Sequence, residues 1–188
     1  MKLGPIVLRA ALGAVFFAHG VQKLFGWFGG YGLEATANAF DSMGLKPGKR
    51  SALIAGGSET GAGVLFAAGF MTPLAAATSI AVQNEAIRTV HWEKGFFSTD
   101  GGYEFNLTLI AAAIALADSG PGPLSLDRAL GTERSGTLWA LAALGAGLVG
   151  PRLLDRIAPP PAESAAPAPA PQGDGRAQEV PDTVASSR

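Results

Sequence analysis

The chain has 188 residues, and 14 Lys and Arg against 15 Asp and Glu leave a net charge of −1, which gives no footprint for a nucleic-acid partner. Charged residues make up 15% and hydrophobic residues 48% of the sequence, whereas soluble domains carry roughly 25% charged residues. There is no cysteine, which excludes disulfides, thiol nucleophiles, thiolate metal sites and Cys-ligated iron–sulfur clusters.

Pro5 to Phe25 is the first apolar run, and it reaches the length of about 20 residues that a bilayer core requires. Met1-Lys2 and the apolar run resemble a secretory signal, but Arg9 interrupts the run and no small-x-small cleavage site follows. A spanning helix is therefore expected. After a Gly/aromatic passage from Gly26 to Gly32, Leu33 to Met43 places Leu33, Ala37 and Phe40 on one face and Glu34, Asn38 and Asp41 elsewhere. That pattern predicts a short amphipathic helix at an interface. A basic turn follows at Lys46–Arg50.

Ala52 to Phe70 is the second predicted span, and Met71-Thr72 forms a minimal turn. Pro73 opens the third, which runs to His91. The loop from Trp92 to Gly102 leads to the fourth span, Tyr103 to Ala117, ended by Asp118-Ser119-Gly120-Pro121-Gly122-Pro123. Thr137 to Leu154 is a candidate fifth span, weakened by Gly145, Gly147, Gly150 and Pro151. Trp27, Trp92 and Trp139 fall at span ends, where interfacial anchors belong. The expected architecture is all-α: an integral membrane antiparallel four-helix bundle over residues 1–130, and a candidate fifth transmembrane helix within 131–157. Residues 158–188 form a Pro/Ala-rich tail expected to be disordered.

Ionisable and amide side chains interrupt these apolar runs, where a charge costs at least a few kcal/mol unless paired or hydrated. Let the membrane face at Met1 be side A and the opposite face side B. In an antiparallel bundle, His19, Gln22 and Lys23 lie near the B end of the first helix and Glu59 near that of the second. Asn84, Glu85, Arg88 and His91 fall in the B half of the third, with Glu104 and Asn106 at the start of the fourth. His19 and Lys23 share a helix face, as do Asn84, Arg88 and His91. Glu59 lies between Gly57 and Gly61, a small-xxx-small pattern that predicts close helix approach there. Glu85 is offset from the Asn84–Arg88–His91 stripe but can pair with Arg88 at i+3. The natural pairing sets Glu59 and Glu85 or Glu104 against Lys23 and Arg88, while Arg9 is expected to reach the interface on side A. Such a layer either locks the helices together or forms a polar pocket that binds a ligand.

Other motifs carry little. The glycine-rich Gly56–Gly63 lies inside an apolar span and not after a strand, so it is no dinucleotide fingerprint. His19 and His91 have no supporting haem or metal motif, and no metal is assigned.

An ordered set of short motifs resembles the DoxX family of small bacterial membrane proteins. It comprises Leu8-Arg9, His19-Gly20-Val21-Gln22-Lys23-Leu24-Phe25, Glu59 in a Gly-rich helix and Gly69-Phe70-Met71-Thr72-Pro73. Gly101-Gly102-Tyr103-Glu104 and Gly120-Pro121-Gly122-Pro123-Leu124-Ser125-Leu126-Asp127 complete it. The resemblance covers about residues 5–130 and implies a four-helix membrane bundle in the bacterial plasma membrane, linked to thiosulfate:quinone oxidoreductase or to redox-stress complexes. It does not establish catalysis. Three functions follow as expectations. The first is a quinone-linked oxidoreductase subunit whose side B pocket holds the head group, with no other cofactor evident. The others are a non-catalytic scaffold for a redox protein, and a small-solute or proton permease.

Overall fold

In a computed structural model that describes residues 3–157, every regular element is helical. The helices are α1 (Leu3–Phe25), α2 (Gly32–Ser42), α3 (Gly48–Ala68), α4 (Thr72–Ala86), α5 (Glu104–Ser119), α6 (Leu126–Ala129) and α7 (Thr137–Ile157). The end of α4 widens into a π-turn, Ile87–His91, so the expected third span is interrupted where its polar residues cluster. The tail from residue 158 onward, and Met1 and Lys2, lie outside the described residues.

Four long helices pack in a ring: α1 against α3, α3 against α4, α4 against α5, and α5 back against α1. α7 covers α4 and α5 from outside the ring. Leu12, Phe16, Phe66, Ile80 and Leu116 fill the interior, separated by alanines such as Ala75, Ala76, Ala113 and Ala117 that let the backbones close up. Phe16 and Phe66 meet with ring centroids 6.1 Å apart.

The α1–α3 interface is a glycine seam. Gly13 lies opposite Ala67, Phe17 opposite Gly63, and Gly20 opposite Gly56 and Thr60, so the two helices run antiparallel. A Cβ on Gly13 would come within 2.9 Å of the Ala67 nitrogen, and one on Gly20 or Gly63 would overlap backbone. Gly57 and Gly61, the predicted contact points, instead face open space. The reason is angular: residues two positions from Glu59 lie about 200° around the helix, whereas positions three and four away share its face. Glu59 points inward, so Gly56 and Gly63 make the seam.

Helix ends are held by specific bonds. α3 ends in a Schellman motif at Gly69 (φ 62°), with Phe70 N–H donating to Leu65 O at 2.9 Å and Gly69 N–H to Phe66 O at 3.0 Å. Asp41, at the end of α2, accepts from Gly48 N–H at 2.6 Å and so caps α3 from outside. α2 therefore lies across the side B ends of α1 and α3, with Thr36 and Ala37 buried against them. In α7, Gly147 sets its backbone against Ile80 and Ala77 of α4, so a residue that weakens the helix in isolation permits close packing.

The outward surfaces of the helices are apolar. Leu53, Ile54 and Val64 of α3, Phe105 and Leu107 of α5, and Leu138, Leu141, Leu148 and Val149 of α7 are all exposed. Among the described residues, α1 is the helix long and apolar enough to cross a membrane by length and composition, and Thr137–Leu153 is a shorter apolar stretch.

Candidate functional site

The side B polar residues separate into three stations. The first joins α1 to α3: Lys23 Nζ lies 2.5 Å from Glu59 Oε2. The Glu59 side chain is 6% exposed and that of Lys23 is 25% exposed, so the carboxylate is the buried member of the pair and the lysine the partly exposed one. Lys23 Nζ also donates to the His19 carbonyl at 3.4 Å, and the Thr36 hydroxyl of α2 donates to the Lys23 carbonyl at 3.4 Å. The His19 side chain is exposed beside them, and Gln22 Nε2 donates to the Phe28 carbonyl at 3.3 Å. The predicted Lys23–Glu59 pairing forms, at the point where Gly20 and Gly56 bring the backbones together.

The second station joins α4 to α5. Asn106 Nδ2 donates to Gln83 Oε1 at 2.7 Å, and both residues are 7% exposed. Asn84, singled out in the sequence, is half-buried, while its neighbour Gln83 enters the core. A signal for Gln83 was present: Ala76, Ser79, Ile80 and Gln83 recur at three- and four-residue intervals and are all buried. The Asn84–Arg88–His91 stripe is rotated about 100° from that core-facing line.

The third station braces the loop between α4 and α5. His91 Nδ1 donates to the Gly101 carbonyl at 2.6 Å, and Glu104 Oε1 accepts from Ser98 N–H at 2.8 Å. Trp92 stacks on Tyr103 with centroids 5.6 Å apart, and Phe96 meets the same Tyr103 edge-on at 5.6 Å. Arg88 pairs at 2.9 Å with Glu85, one turn away on its own helix, and both are substantially exposed. The expected Glu85–Arg88 pairing at i, i+3 is therefore made, and Glu104, the alternative partner, is not used. Arg88 finds its carboxylate locally, and Glu104, in the first turn of α5, is turned to a free loop amide.

Side A holds a buried polar cluster whose role the sequence did not disclose. Asp127 is 2% exposed and accepts from four donors. These are Met71 N–H at 3.0 Å, Thr72 N–H at 3.1 Å, the Thr72 hydroxyl at 3.0 Å and the Thr132 hydroxyl at 3.2 Å. Its own N–H donates to Gly69 O at 3.0 Å, so the loop after α5 buckles the α3–α4 turn. Arg9 is buried in this cluster: Nη2 donates to the Leu124 carbonyl, and the guanidinium packs against Gly69 and Ser125. Among the described residues, no group of three or more His, Asp or Glu is arranged to hold a metal ion.

These features define a class: a small all-α protein with apolar outer faces, a glycine-seamed helix pair and one largely buried Lys–Glu bridge. The chain belongs to the DoxX family. The DoxX family model matches residues 4–92. A Bacillus subtilis (strain 168) protein named "Putative oxidoreductase CatD" is 32% identical over 126 residues, covering 67% of this chain and 86% of that protein. No solved structure matches the chain.

Proposed function

We propose that this chain is a multi-pass protein of the bacterial plasma membrane and the membrane component of a quinone-linked oxidoreductase. In this reading α1, α3, α4 and α5 cross the lipid bilayer as an antiparallel four-helix bundle, joined by α7. Two features support the embedding. Leucine, isoleucine, valine and phenylalanine cover the outer faces, and Glu59, Gln83 and Asn106 turn inward. In water that distribution would leave a large apolar surface uncovered. In lipid it is the expected one, since intramembrane polar groups face the bundle interior and pair there.

The observation that carries the redox reading is the Lys23–Glu59 bridge, with its buried carboxylate and its more open ammonium. A quinone head group approaching from the bilayer offers a carbonyl oxygen to Lys23. On reduction to the quinol both oxygens gain a proton: Lys23 supplies the one on the bound carbonyl and regains it through Glu59, and water supplies the other. The two electrons come from a redox protein partner docked on the chain. The oxidoreductase name carried by the Bacillus subtilis relative supports this assignment.

Gentle-detergent purification followed by a quinone assay of the lipid extract tests the reading. Wild-type protein is expected to retain quinone, and Lys23→Gln and Glu59→Gln to lose it. Arg88→Gln is expected to behave as wild type, because Arg88 lies outside the bridge. Retention of no quinone by the wild type, with donor-dependent quinone reduction that survives Glu59→Gln, would overturn it. A scaffold role is favoured by a separate observation. Exposed Phe25, Trp27, Phe28 and Tyr31 on one side B loop and Trp92, Phe96 and Phe97 on another form two aromatic lips. Recovery of a stoichiometric redox partner that is lost on Trp27→Ala or Phe97→Ala, together with unchanged quinone chemistry, would establish the scaffold instead.

A further inference from the structure

At the opposite end from the bridge, a cleft of about 390 Å³ opens between the first half of α4 and the first half of α7. Its walls are mostly apolar, among them Pro73, Leu74, Ala77, Trp139 and Ala146, and its polar lining is Thr132, Asp127 and the exposed Arg134. The volume falls within the roughly 300–1,000 Å³ typical of small-molecule sites. The guanidinium carbon of Arg134 lies 5.2 Å from the centroid of the Trp139 ring, so the aromatic face holds the cation at the rim.

The charges around the mouth are unequally committed. Asp127 borders the cleft, but its carboxylate is buried and already accepts from four donors. Glu133 pairs with Arg128 at 3.9 Å. Among the described residues, no carboxylate lies within ion-pair distance of Arg134. The site therefore offers one guanidinium over a slot of hydrocarbon character. Arginine, with its planar fork of donors, suits a phosphate diester better than a carbonyl or a hydroxyl. Arg134, just ahead of α7, and Trp139, in its first turn, lie at the end that would meet the headgroup layer, where tryptophan is enriched.

We propose that this cleft is a binding site for an anionic diacyl phospholipid, with the phosphate on Arg134 and one acyl chain between α4 and α7. The inference rests on the membrane reading above but not on its redox part. α7, which forms one wall of the cleft, lies outside the residues that the family model matches, 4–92.

Trp139 is its own reporter. In a Trp27→Phe/Trp92→Phe background, whose helicity is checked by circular dichroism, Trp139 fluorescence is titrated in mixed micelles. The quenchers are phosphatidylglycerol and phosphatidylcholine carrying brominated acyl chains. Quenching by the phosphatidylglycerol is expected at a several-fold lower mole fraction. Arg134→Gln should erase that preference, Arg134→Lys should keep part of it, and Ala146→Phe should weaken quenching by the anionic lipid by filling the slot. Equal quenching by the two lipids, or a preference that survives Arg134→Gln, would overturn the lipid site while leaving the membrane reading intact. Unchanged quenching of Ala146→Phe by the anionic lipid would also overturn it, showing headgroup recognition without an occupied cleft. Absence of quenching by either lipid would sink the membrane reading along with the site.

Discussion

The two ends of the bundle both bury a carboxylate, and they treat it differently. On side A, Asp127 is enclosed and accepts from two backbone amides and two hydroxyls, all at 3.0–3.2 Å. On side B, Glu59 meets the ammonium of a single lysine at 2.5 Å, and that lysine remains 25% exposed. A carboxylate saturated by fixed donors is a fastener, since no lone pair or proton is left to exchange. One held by a single, partly exposed cation keeps capacity for chemistry. Buried charge in an apolar helix therefore marks function only once its bonds are counted, and the count separates Asp127 from Glu59.

The largest effect expected from this comparison is at the fastener. Asp127→Ala strands the Met71 and Thr72 amides and both hydroxyls. Hydrogen bonds to charged groups contribute about 1.5–3 kcal/mol each and do not add fully, so a loss on the order of 4 kcal/mol is expected. Thermal unfolding in detergent should show the drop, while quinone retention by the protein that remains folded is unchanged. A mild effect would remove the contrast between the two ends.

Lys23→Met comes next. It leaves Glu59 buried without a partner, and breaking a buried ion pair costs about 3–5 kcal/mol when the remaining charge cannot relax. The partial exposure on the lysine side places the expected loss at the low end of that range. The double variant Lys23→Met/Glu59→Leu should recover most of the stability, because paired charges are often replaced by apolar side chains at little net cost. If the bridge has a working role, the double variant is stable and inactive. A double variant that stays active would make Glu59 a fastener like Asp127.

Gly20→Leu probes the seam that positions the bridge. Overpacking typically costs about 1–3 kcal/mol, and here the intruding atoms meet Thr60 and the Gly56 carbonyl. Gly61→Leu, on the open face of the same α3, should change stability by no more than about 0.5 kcal/mol. Equal losses from the two substitutions would restore the contact face predicted around Gly57 and Gly61.

Much of this is legible in the sequence. Apolar run length, Pro73 at a helix start and the break at Gly120–Pro123 locate the long helices to within a few residues. The Lys23–Glu59 pair follows from antiparallel order alone, because helices joined by one connection bring those ends together. Less visible is rotation about each helix axis. A span that is apolar all round gives little periodicity with which to fix its inward face. That is why sequence spacing points to Gly57 and Gly61 where Gly56 and Gly63 make the seam, and to Asn84 where Gln83 enters the core. Bonds from loops to helix ends are hidden for another reason. Asp127 lies 55 residues from the turn it caps, so no local spacing signals the contact. The contact of Arg9 is hidden in the same way, since the Leu124 carbonyl that receives it arrives from a distant loop.

The smallest expected effect tests the comparison from its exposed edge. Glu85 and Arg88 are 2.9 Å apart on adjacent turns, with side chains 37% and 46% exposed. Such pairs contribute about 0.2–1 kcal/mol, reduced further by salt. Arg88→Gln should therefore shift the unfolding midpoint only slightly and leave quinone retention unchanged. The sequence places Arg88 and Lys23 in one layer with equal standing, so this result would separate them. A large loss of retention from Arg88→Gln, with stability preserved, would mean that the working region extends past the bridge to the exposed end of α4. The π-turn that begins at Ile87 would then form part of that region, and not merely the point where the helix unwinds.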